Sequence, residues 1–309
     1  MNTITVSTQS AITNGQTFNA SILAGTVSQG TADTYQKRFG VYAAFAGSFD
    51  NACNPATLAR WRTALVNETT DSPRTINSKL AAVRSVMRAG AEQGYIAQRT
   101  ADDFKAVAGV KVKSMRDRLK ANARTRITPA DMRRLCDAPS ADTLTGKRDR
   151  AMLLTMAATG CRISEIISLT EKQIDRGQGC YTVEVLGKNQ TEPRTAPLTV
   201  EAHTAIQKWL DARPLQSESI FTGFQGRSQR PLDKPVSDVG AWMAVQKYAA
   251  AVGLEHVKPH DFRRFVGTQL AKRQGVQVAQ KVLGHADAST TLNNYVLSEI
   301  EGNETEGLF

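Results

Sequence analysis

The sequence predicts a mainly α fold, with a helical N-terminal domain followed by a mixed, mostly helical domain that contains a small antiparallel sheet. Three observations support this prediction. The chain has 309 residues, which is more than a single hydrophobic core usually serves. Apolar residues recur at helical spacing through most of its length. One stretch, residues 180–198, instead alternates apolar and polar residues in the manner of a strand pair.

The first predicted helix begins near Thr31. Aromatic residues recur along it at three- and four-residue spacing, namely Tyr35, Phe39, Tyr42 and Phe45. This spacing places the rings on one helix face, so we expect an aromatic core stripe on a helix capped by Thr31 or a neighbour. The alternative interpretation is a platform on which nucleic-acid bases stack.

Two further helices are expected before residue 108. One runs from about Pro55 to Val66 and turns Leu58, Trp61 and Leu65 inwards. The other starts at Ser72-Pro73, a capping residue followed by proline at the first helical position. Its apolar face carries Ile76, Leu80, Val83 and Met87, and its other face carries Arg74, Lys79, Arg84 and Arg88. Residues 28–108 are therefore predicted to form a helical domain with a basic flank, after a flexible polar segment over 1–27.

A basic segment, residues 109–127, links the two predicted domains. Between Lys111 and Arg126 it holds seven basic residues and one acid, Asp117. A solvated charge run is one interpretation. The other is a linker that lies along a phosphate backbone, since each neutralised phosphate releases counterions. The basic residues expected to contact phosphate are Lys113, Arg116, Arg118 and Lys120.

The overall composition favours a polyanionic partner. Lys plus Arg outnumber Asp plus Glu by 39 to 29, for a formal net charge of +10. Charge alone does not separate a nucleic-acid-binding protein from one that is merely basic. The four cysteines are widely separated, so reduced thiols and no metal site are expected. No apolar stretch approaches the roughly 18 residues of a membrane helix, which favours a cytoplasmic, nucleoid-associated protein without a membrane partner.

The second domain is predicted to begin at Thr128-Pro129, again a cap followed by a first-turn proline. Helices are expected at 131–138, 145–159 and 162–169. A hairpin follows, in which Tyr181, Val183 and Val185 alternate on the first strand and Thr195 to Leu198 forms the second. Four more helices are expected at 200–213, 236–252, 261–274 and 279–283.

Four segments of this domain carry chemically distinctive residues. They are Ala158-Thr-Gly-Cys-Arg162-Ile-Ser-Glu165, Leu186-Gly-Lys188, His260-Asp-Phe-Arg263, and Leu283-Gly-His285 with Tyr295 ten residues later. Their order and residue sequences resemble the catalytic motifs of the tyrosine site-specific recombinases, the phage-integrase and Xer-like family, over residues 128–297. The helical domain and basic linker resemble the family's SAM-like core-binding domain. The resemblance implies a tyrosine-recombinase catalytic domain with a C-terminal tail over 128–309.

The chemistry of DNA cleavage explains why two of these motifs carry an arginine. Attack of a phenol oxygen on a phosphodiester adds negative charge to the non-bridging oxygens, and guanidinium groups stabilise that charge well. Arg162 and Arg263 are predicted to form this clamp. His260 lies three residues before Arg263 and therefore faces the same way on a helix. Glu165 is expected to support Arg162 or to orient His260; an ordinary helix ion pair and a surface arginine are the alternatives for Arg162 and Arg263.

The remaining roles are implied by the resemblance. Lys188 at the hairpin tip would protonate the leaving 5′-oxygen, His260 would assist proton transfer with the tyrosine, His285 would bind a phosphate oxygen and Tyr295 would be the nucleophile. Tyr295 lies ten residues after His285, whereas the family usually has nine. We expect the turn between them to absorb the extra residue. Two arginines are predicted as phosphate contacts: Arg194 across the hairpin turn, and Arg264 where many members carry histidine.

The resemblance also implies partners. They are a double-stranded DNA recombination site, a homotetramer on DNA that is a monomer or dimer when free, and possible accessory DNA-bending proteins. Cleavage would leave a 3′-phosphotyrosine and proceed through a Holliday junction to integration, excision or resolution, with no cofactor or metal. The alternatives are a DNA-binding protein of the same fold that does not cleave, and a type IB topoisomerase.

Overall fold

The computed structural model describes residues 20–118, 127–177, 180–187, 192–226 and 230–284. The chain divides into two compact units, residues 1–123 and 124–309. Each unit has its own hydrophobic core. Helices dominate the described part of both units, and the strands form two small antiparallel sheets. The predicted mainly α class is confirmed.

The first unit is a bundle of helices. Its described α-helices are α1 (Gln29–Ala46), α2 (Phe49–Ala52), α3 (Pro55–Glu68), α4 (Pro73–Glu92) and α5 (Gln98–Ala106). Short 3₁₀ segments lie at Ala20–Leu23 and Val112–Arg118. The predicted starts of α3 and α4 are confirmed, because Asn54 and Ser72 each accept a backbone N–H bond in front of the proline. Helix α1 begins two residues before the predicted cap Thr31.

Aromatic rings fill the core of the first unit. Tyr42 is fully buried, and its hydroxyl donates to the carbonyl of Ala52 at 3.0 Å. Its ring centroid lies 5.2 Å from that of Trp61. The predicted stripe on α1 is correct for Phe39 and Tyr42 but wrong for Phe45, which is 45% exposed. Ala46, four residues after Tyr42, takes the inward position, since a four-residue step deviates less from the helical repeat than a three-residue step.

The basic flank of α4 is partly used inside the bundle. Arg84 donates to the carbonyl of Phe104 at 3.3 Å and also to the carbonyl of Val107, which fastens α4 to the end of α5. Lys79 forms an ion pair with Asp71 at 2.5 Å. Of the four basic residues predicted on this face, Arg74 and Arg88 are the exposed ones.

The second unit combines helices with two small sheets. Its described α-helices are α6 (Pro129–Asp137), α7 (Leu144–Thr159), α8 (Ile163–Ile167), α9 (Val200–Ala212), α10 (Asp238–Ala251), α11 (Pro259–Gln274) and α12 (Val276–Leu283). Strands β1 (Ile174–Arg176), β2 (Tyr181–Val185) and β3 (Arg194–Leu198) form one antiparallel sheet in that order. Strands β4 (Thr222–Gln225) and β5 (Arg230–Pro235) form a separate antiparallel pair. The predicted hairpin is confirmed as β2 and β3, whereas β1, β4 and β5 were not predicted.

Helix α7 is the centre of the second unit. It is buried on nearly all sides and packs against α6, α9, α11 and β3. It ends at Gly160, which has a left-handed φ of 62°. A Cβ at Gly160 would lie 2.8 Å from Leu283 and 3.0 Å from Val266. Glycine therefore lets the chain turn tightly enough for α11 and α12 to pack against the end of α7, immediately before Arg162.

Candidate active site

Three predicted site residues come together near the ends of α7, α8, α11 and α12. Arg162 immediately precedes α8, and His260 and Arg263 lie in the first two turns of α11. Arg263 donates to the carbonyl of Gly160 at 2.9 Å, two residues before Arg162. Desolvation, followed by the positive charges of Arg264, Arg263 and Arg162, lowers the pKa of His260. Residues almost 100 positions apart in the chain thus form one basic cluster, the candidate site.

Arg263 is the buried member of this cluster. Its side chain is 1% exposed. Its guanidinium donates to the carbonyl of Gly160 at 2.9 Å and to the carbonyl of Leu283 at 2.5 Å. These carbonyls lie at the C-terminal ends of α7 and α12, where the helix dipole is negative. The interpretation of Arg263 as a surface arginine is therefore wrong, because its side chain joins three helices.

Arg162 is the accessible member. Its side chain is 36% exposed, and its Nη1 donates to Oε1 of Glu165 at 2.8 Å. Oε2 of Glu165 accepts from the backbone amide of Arg162 at 2.8 Å. Glu165 therefore caps α8 and orients the Arg162 guanidinium with a single carboxylate. The structure places Glu165 against Arg162, one of the two arrangements left open by the sequence.

The side chain of Arg194 lies inside the protein and not at the surface, where a phosphate contact was predicted. The side chain is 9% exposed. Its Nη2 donates to Oε2 of Glu165 at 2.7 Å, and its Nη1 donates to the carbonyl of Val282 at 2.8 Å. A phosphate contact had been predicted from the position of Arg194 across the hairpin turn. Strand alternation instead turns the side chain inwards, where Glu165 and the end of α12 bind it.

Glu165 is a buried carboxylate that stays charged. Burial alone would raise its pKa, but the hydrogen bond from the Arg162 amide and the charges of Arg194 and Arg162 outweigh this effect and lower the pKa. A charged, enclosed carboxylate between two guanidinium groups fixes the positions of both. Cys161, also buried, adds a weaker contact, since its sulfur accepts from Nη2 of Arg194 at 3.4 Å.

His260 is held in its neutral form. The residue is exposed, but part of its ring is shielded from solvent. This desolvation is the largest cause of its lowered pKa, followed by the charges of Arg264 and Arg263, while Asp261 acts in the opposite direction. A neutral imidazole at neutral pH is able to accept a proton.

Asp261 was not predicted from the sequence. It is buried, and its Oδ1 accepts from Nη1 of Arg264 at 3.0 Å. Its Oδ2 accepts from the backbone amide of Lys258 at 2.8 Å, which starts α11. An acid three residues after the start of a helix is the sequence signal that would have found it. Arg264, predicted as a phosphate contact, is therefore held by Asp261 and is about one third exposed.

The other predicted residues belong to the first unit or lie outside the described residues. Lys188, His285, Tyr295 and Lys120 lie outside the described residues, as does the side chain of Arg116. In the linker, Lys113 is exposed, whereas Arg118 donates to the carbonyl of Thr69 at 2.7 Å. Within the part of the chain that the structure describes, no group of three His, Cys, Asp or Glu side chains is placed to hold a metal ion. No described helix is both long and apolar enough to cross a membrane.

The geometry suits recognition of an oxyanion. Arg162 and Arg264 have partly exposed side chains, and His260 is exposed beside them. Arg263 lies among the charges that act on His260, with its guanidinium held by backbone carbonyls. Carbonyl oxygens accept hydrogen bonds without cancelling the positive charge. The cluster therefore keeps a positive potential where a phosphate group would lie.

Comparison with known proteins gives a family match over the second unit. The model of the phage integrase family matches residues 125–301. This range includes the cluster and also the positions of Lys188, His285 and Tyr295. The match therefore covers all six residues that were predicted to be catalytic.

Two similar proteins are tyrosine recombinases by name. Tyrosine recombinase XerD of Neisseria meningitidis serogroup A is 35% identical over 178 residues, which are 56% of this chain and 59% of the relative. Tyrosine recombinase XerC of Thermodesulfovibrio yellowstonii is 31% identical over 231 residues, 71% of this chain and 70% of the relative. The chain thus spans 59% of the length of the XerD relative and more of the XerC relative.

A solved structure shares the fold. The site-specific recombinase XerH, in a pre-cleavage complex with its difH substrate, superposes with a TM-score of 0.62. The alignment covers 89% of this chain and 79% of XerH at 17% sequence identity. At this identity the likeness concerns the fold alone.

Proposed function

Because the chain belongs to the phage integrase family, we propose that it is a site-specific recombinase that cleaves and rejoins double-stranded DNA through a 3′-phosphotyrosine. One observation carries the proposal: the guanidinium of Arg263 donates to the carbonyl of Gly160 at 2.9 Å, which brings Arg263 and neighbouring His260 to Arg162 from a distant segment. Two carboxylates, Glu165 and Asp261, pair with Arg162 and Arg264. Arg263 adds a further guanidinium, held by backbone carbonyls, so the arginines outnumber these carboxylates beside exposed His260.

In the proposed mechanism, Arg162 and Arg263 bind the non-bridging oxygens of the scissile phosphate. Negative charge on these oxygens increases in the transition state, so the guanidinium groups stabilise it more than the ground state. Arg162 has the accessible side chain and Glu165 holds it in place. The carbonyl contacts of Arg263 fix its position without neutralising its charge.

Tyr295 is the proposed nucleophile. Its phenol oxygen forms the new bond to phosphorus, and the bond from phosphorus to the 5′-oxygen breaks. The phenol proton passes to neutral His260, and Lys188 gives a proton to the leaving 5′-oxygen, while His285 binds a phosphate oxygen. The phosphotyrosine keeps the energy of the broken ester, so a 5′-hydroxyl reverses the step and rejoins the strand without a cofactor.

The first unit is proposed to bind DNA beside the cleavage site. Residues 28–108 would form the DNA-binding domain, 109–127 the basic linker and 128–309 the catalytic domain. Exposed Arg74, Arg88 and Lys113 are the described basic residues that support phosphate contact. The proposed assembly on DNA is a homotetramer that exchanges strands through a Holliday junction, with accessory DNA-bending proteins where a site needs them, in the nucleoid.

A nicked substrate tests the proposal. DNA duplexes that bind the full chain are selected from a random pool, and each selected site is prepared with a nick that lets the cleaved end diffuse away. A recombinase accumulates a protein–DNA adduct on the selected site and recombines two copies of the intact site. Tight binding without any adduct would overturn the proposal in favour of a binding protein. Relaxation of supercoiled plasmids that lack the site would favour a topoisomerase.

A further inference from the structure

We propose that Arg194 is a positioning residue for the cleavage reaction, which sets the guanidinium of Arg162 and the end of α12 relative to each other. The inference rests on the proposed recombinase function and deepens it. It assigns to Arg194 a role inside the protein in place of the phosphate contact that its sequence position suggested.

The first contact of Arg194 acts through Glu165. The two carboxylate oxygens of Glu165 bind two guanidinium groups: Oε1 accepts from Arg162 at 2.8 Å, and Oε2 accepts from Arg194 at 2.7 Å besides the backbone amide of Arg162. Arg194 and the Arg162 amide hold Oε2 from two sides, so the carboxylate plane cannot rotate freely and Oε1 stays directed at the Arg162 guanidinium. Arg194 thereby fixes a guanidinium that it does not touch.

The charges of the three groups support the same role. Glu165 alone would cancel the charge of Arg162 and weaken its attraction for phosphate. With Arg194 included, two guanidinium groups share one carboxylate and the set keeps one positive charge. Exposure decides which arginine presents that charge, because the Arg194 side chain is 9% exposed and that of Arg162 is 36% exposed.

The second contact of Arg194 acts on α12. Its Nη1 donates to the carbonyl of Val282, while Arg263 donates to the carbonyl of the next residue, Leu283. Two arginines therefore hold consecutive carbonyls in the last turn of α12, where the helix dipole attracts positive charge. The chain leaves this turn through Gly284 and continues to His285 and Tyr295. Arg194 thus connects the Arg162 side of the site to the helix that leads to the proposed nucleophile.

The test compares three variants of the full chain on the nicked substrate. Arg194→Ala removes both contacts, and Arg194→Lys keeps the charge with fewer donors. Arg213→Ala is the matched control. Arg213 is another buried arginine of the second unit and donates to the carbonyls of Ser217, Ser219 and Ile220, away from Glu165. The measurements are the single-turnover cleavage rate, the DNA dissociation constant at several salt concentrations, and the melting temperature.

Arg194→Ala is expected to lower the cleavage rate about 100-fold, because small misplacements of catalytic groups cost this much. Its DNA affinity and salt dependence should stay within about twofold of the wild type, since no phosphate contact is lost. Arg194→Lys should recover part of the rate. Arg213→Ala should lower the melting temperature and leave the cleavage rate of the folded protein unchanged.

A double variant tests the route through Glu165. If Arg194 acts on Arg162 through this carboxylate, Glu165→Gln combined with Arg194→Ala should cleave more slowly than Glu165→Gln alone by much less than 100-fold. Full cleavage by Arg194→Ala, or an equal loss in Arg213→Ala, would overturn the positioning role. Weaker binding with a flatter salt dependence would instead make Arg194 a phosphate contact. If the wild type itself forms no adduct, the proposed function fails before any variant is compared.

Discussion

The basic face of α4 and the basic cluster of the second unit use arginine and lysine in opposite ways. On α4, Lys79 is neutralised by Asp71 and Arg84 fastens α5, so both side chains serve the bundle. In the cluster, Arg162 and Arg263 come from distant segments and act on one histidine. A count of basic residues therefore does not locate a functional site, whereas basic side chains that converge from distant segments of the chain do locate one.

The two regions also differ in how charge is balanced. The ion pair between Lys79 and Asp71 leaves no net charge at that point of the helix. Arg263 is held by carbonyl oxygens, which satisfy hydrogen bonds and leave the charge in place. The comparison predicts that substitutions in the cluster affect chemistry, whereas those on α4 affect binding or stability.

The largest effect is expected at the two arginines of the clamp. Arg162→Ala or Arg263→Ala should lower the cleavage rate by about a thousandfold or more and leave DNA affinity within about tenfold, because the charge they stabilise grows in the transition state. Arg263 also joins three helices, so the melting temperature of the Arg263→Ala variant must be measured as well. Arg162 is more exposed, so the Arg162→Ala variant shows the loss of catalysis with less loss of stability. If either variant cleaved DNA at the wild-type rate, the claim that the cluster acts in the chemistry and α4 does not would be wrong.

A smaller effect is expected from pH. His260 has a pKa below its ordinary value of 6.5, so its neutral form persists and cleavage should decline only at more acidic pH. Arg264→Gln removes a positive neighbour, which makes protonation of His260 easier and raises its pKa. The acidic decline of the single-turnover rate should then move to higher pH. If the pH profile of Arg264→Gln or of His260→Gln were the same as that of the wild type, His260 would not take part in the proton transfer.

The same shift affects stability with a defined sign. The unfolded chain binds a proton at His260 more readily than the folded chain does, because the folded pKa is lowered. Stability is therefore lost as the pH falls below roughly 6.5, the unfolded pKa of histidine. Chemical denaturation of wild type and His260→Gln as a function of pH separates this contribution from the catalytic one.

The smallest effects are expected on α4, where two pairs of substitutions sharpen the comparison. Arg74→Ala with Arg88→Ala should weaken DNA binding up to about tenfold and reduce the salt slope by about two, since each lost phosphate contact reduces it by roughly 0.9. Lys79→Ala with Arg84→Ala should instead lower the unfolding free energy, by about 1–3 kcal/mol for the lost bonds of Arg84. The reverse pattern would mean that the buried contacts of Arg84 open on DNA.

Local signals predicted most helices but only part of the sheets. A capping residue followed by proline marks the starts of α3, α4 and α6, and the alternation of Tyr181, Val183 and Val185 marks β2. Strands β4 and β5 have no such alternation, because Gly223, Pro231 and charged residues interrupt them. The two strands pair with each other beside Phe221, which is buried in the core, and no local pattern encodes that arrangement.

The same limit applies to the candidate site. Arg162, His260 and Arg263 were predictable because motifs in the sequence carry them. The contacts of Arg194 were not, because its partners Glu165 and Val282 lie 29 and 88 positions away. Local alternation gave no partner for the side chain. The division of Glu165 between two arginines requires the packed structure.

The central claim is that cleavage proceeds through a bond to Tyr295. The described tyrosines of the second unit are poor alternatives. Tyr248 is buried with its hydroxyl bound to Asp149, and burial together with that carboxylate raises its pKa, while the ring of Tyr181 stacks on His203. A raised pKa makes a phenol a weaker nucleophile at neutral pH.

The most direct measurement is peptide mapping of the adduct that forms on a nicked recombination site, with wild type and Tyr295→Phe side by side. The substitution removes one hydroxyl, so folding and DNA affinity should be retained. We predict a DNA-linked peptide that contains Tyr295 in the wild type and no adduct in the variant. An adduct that persists in Tyr295→Phe, or that maps to Tyr248 or Tyr181, would contradict the account.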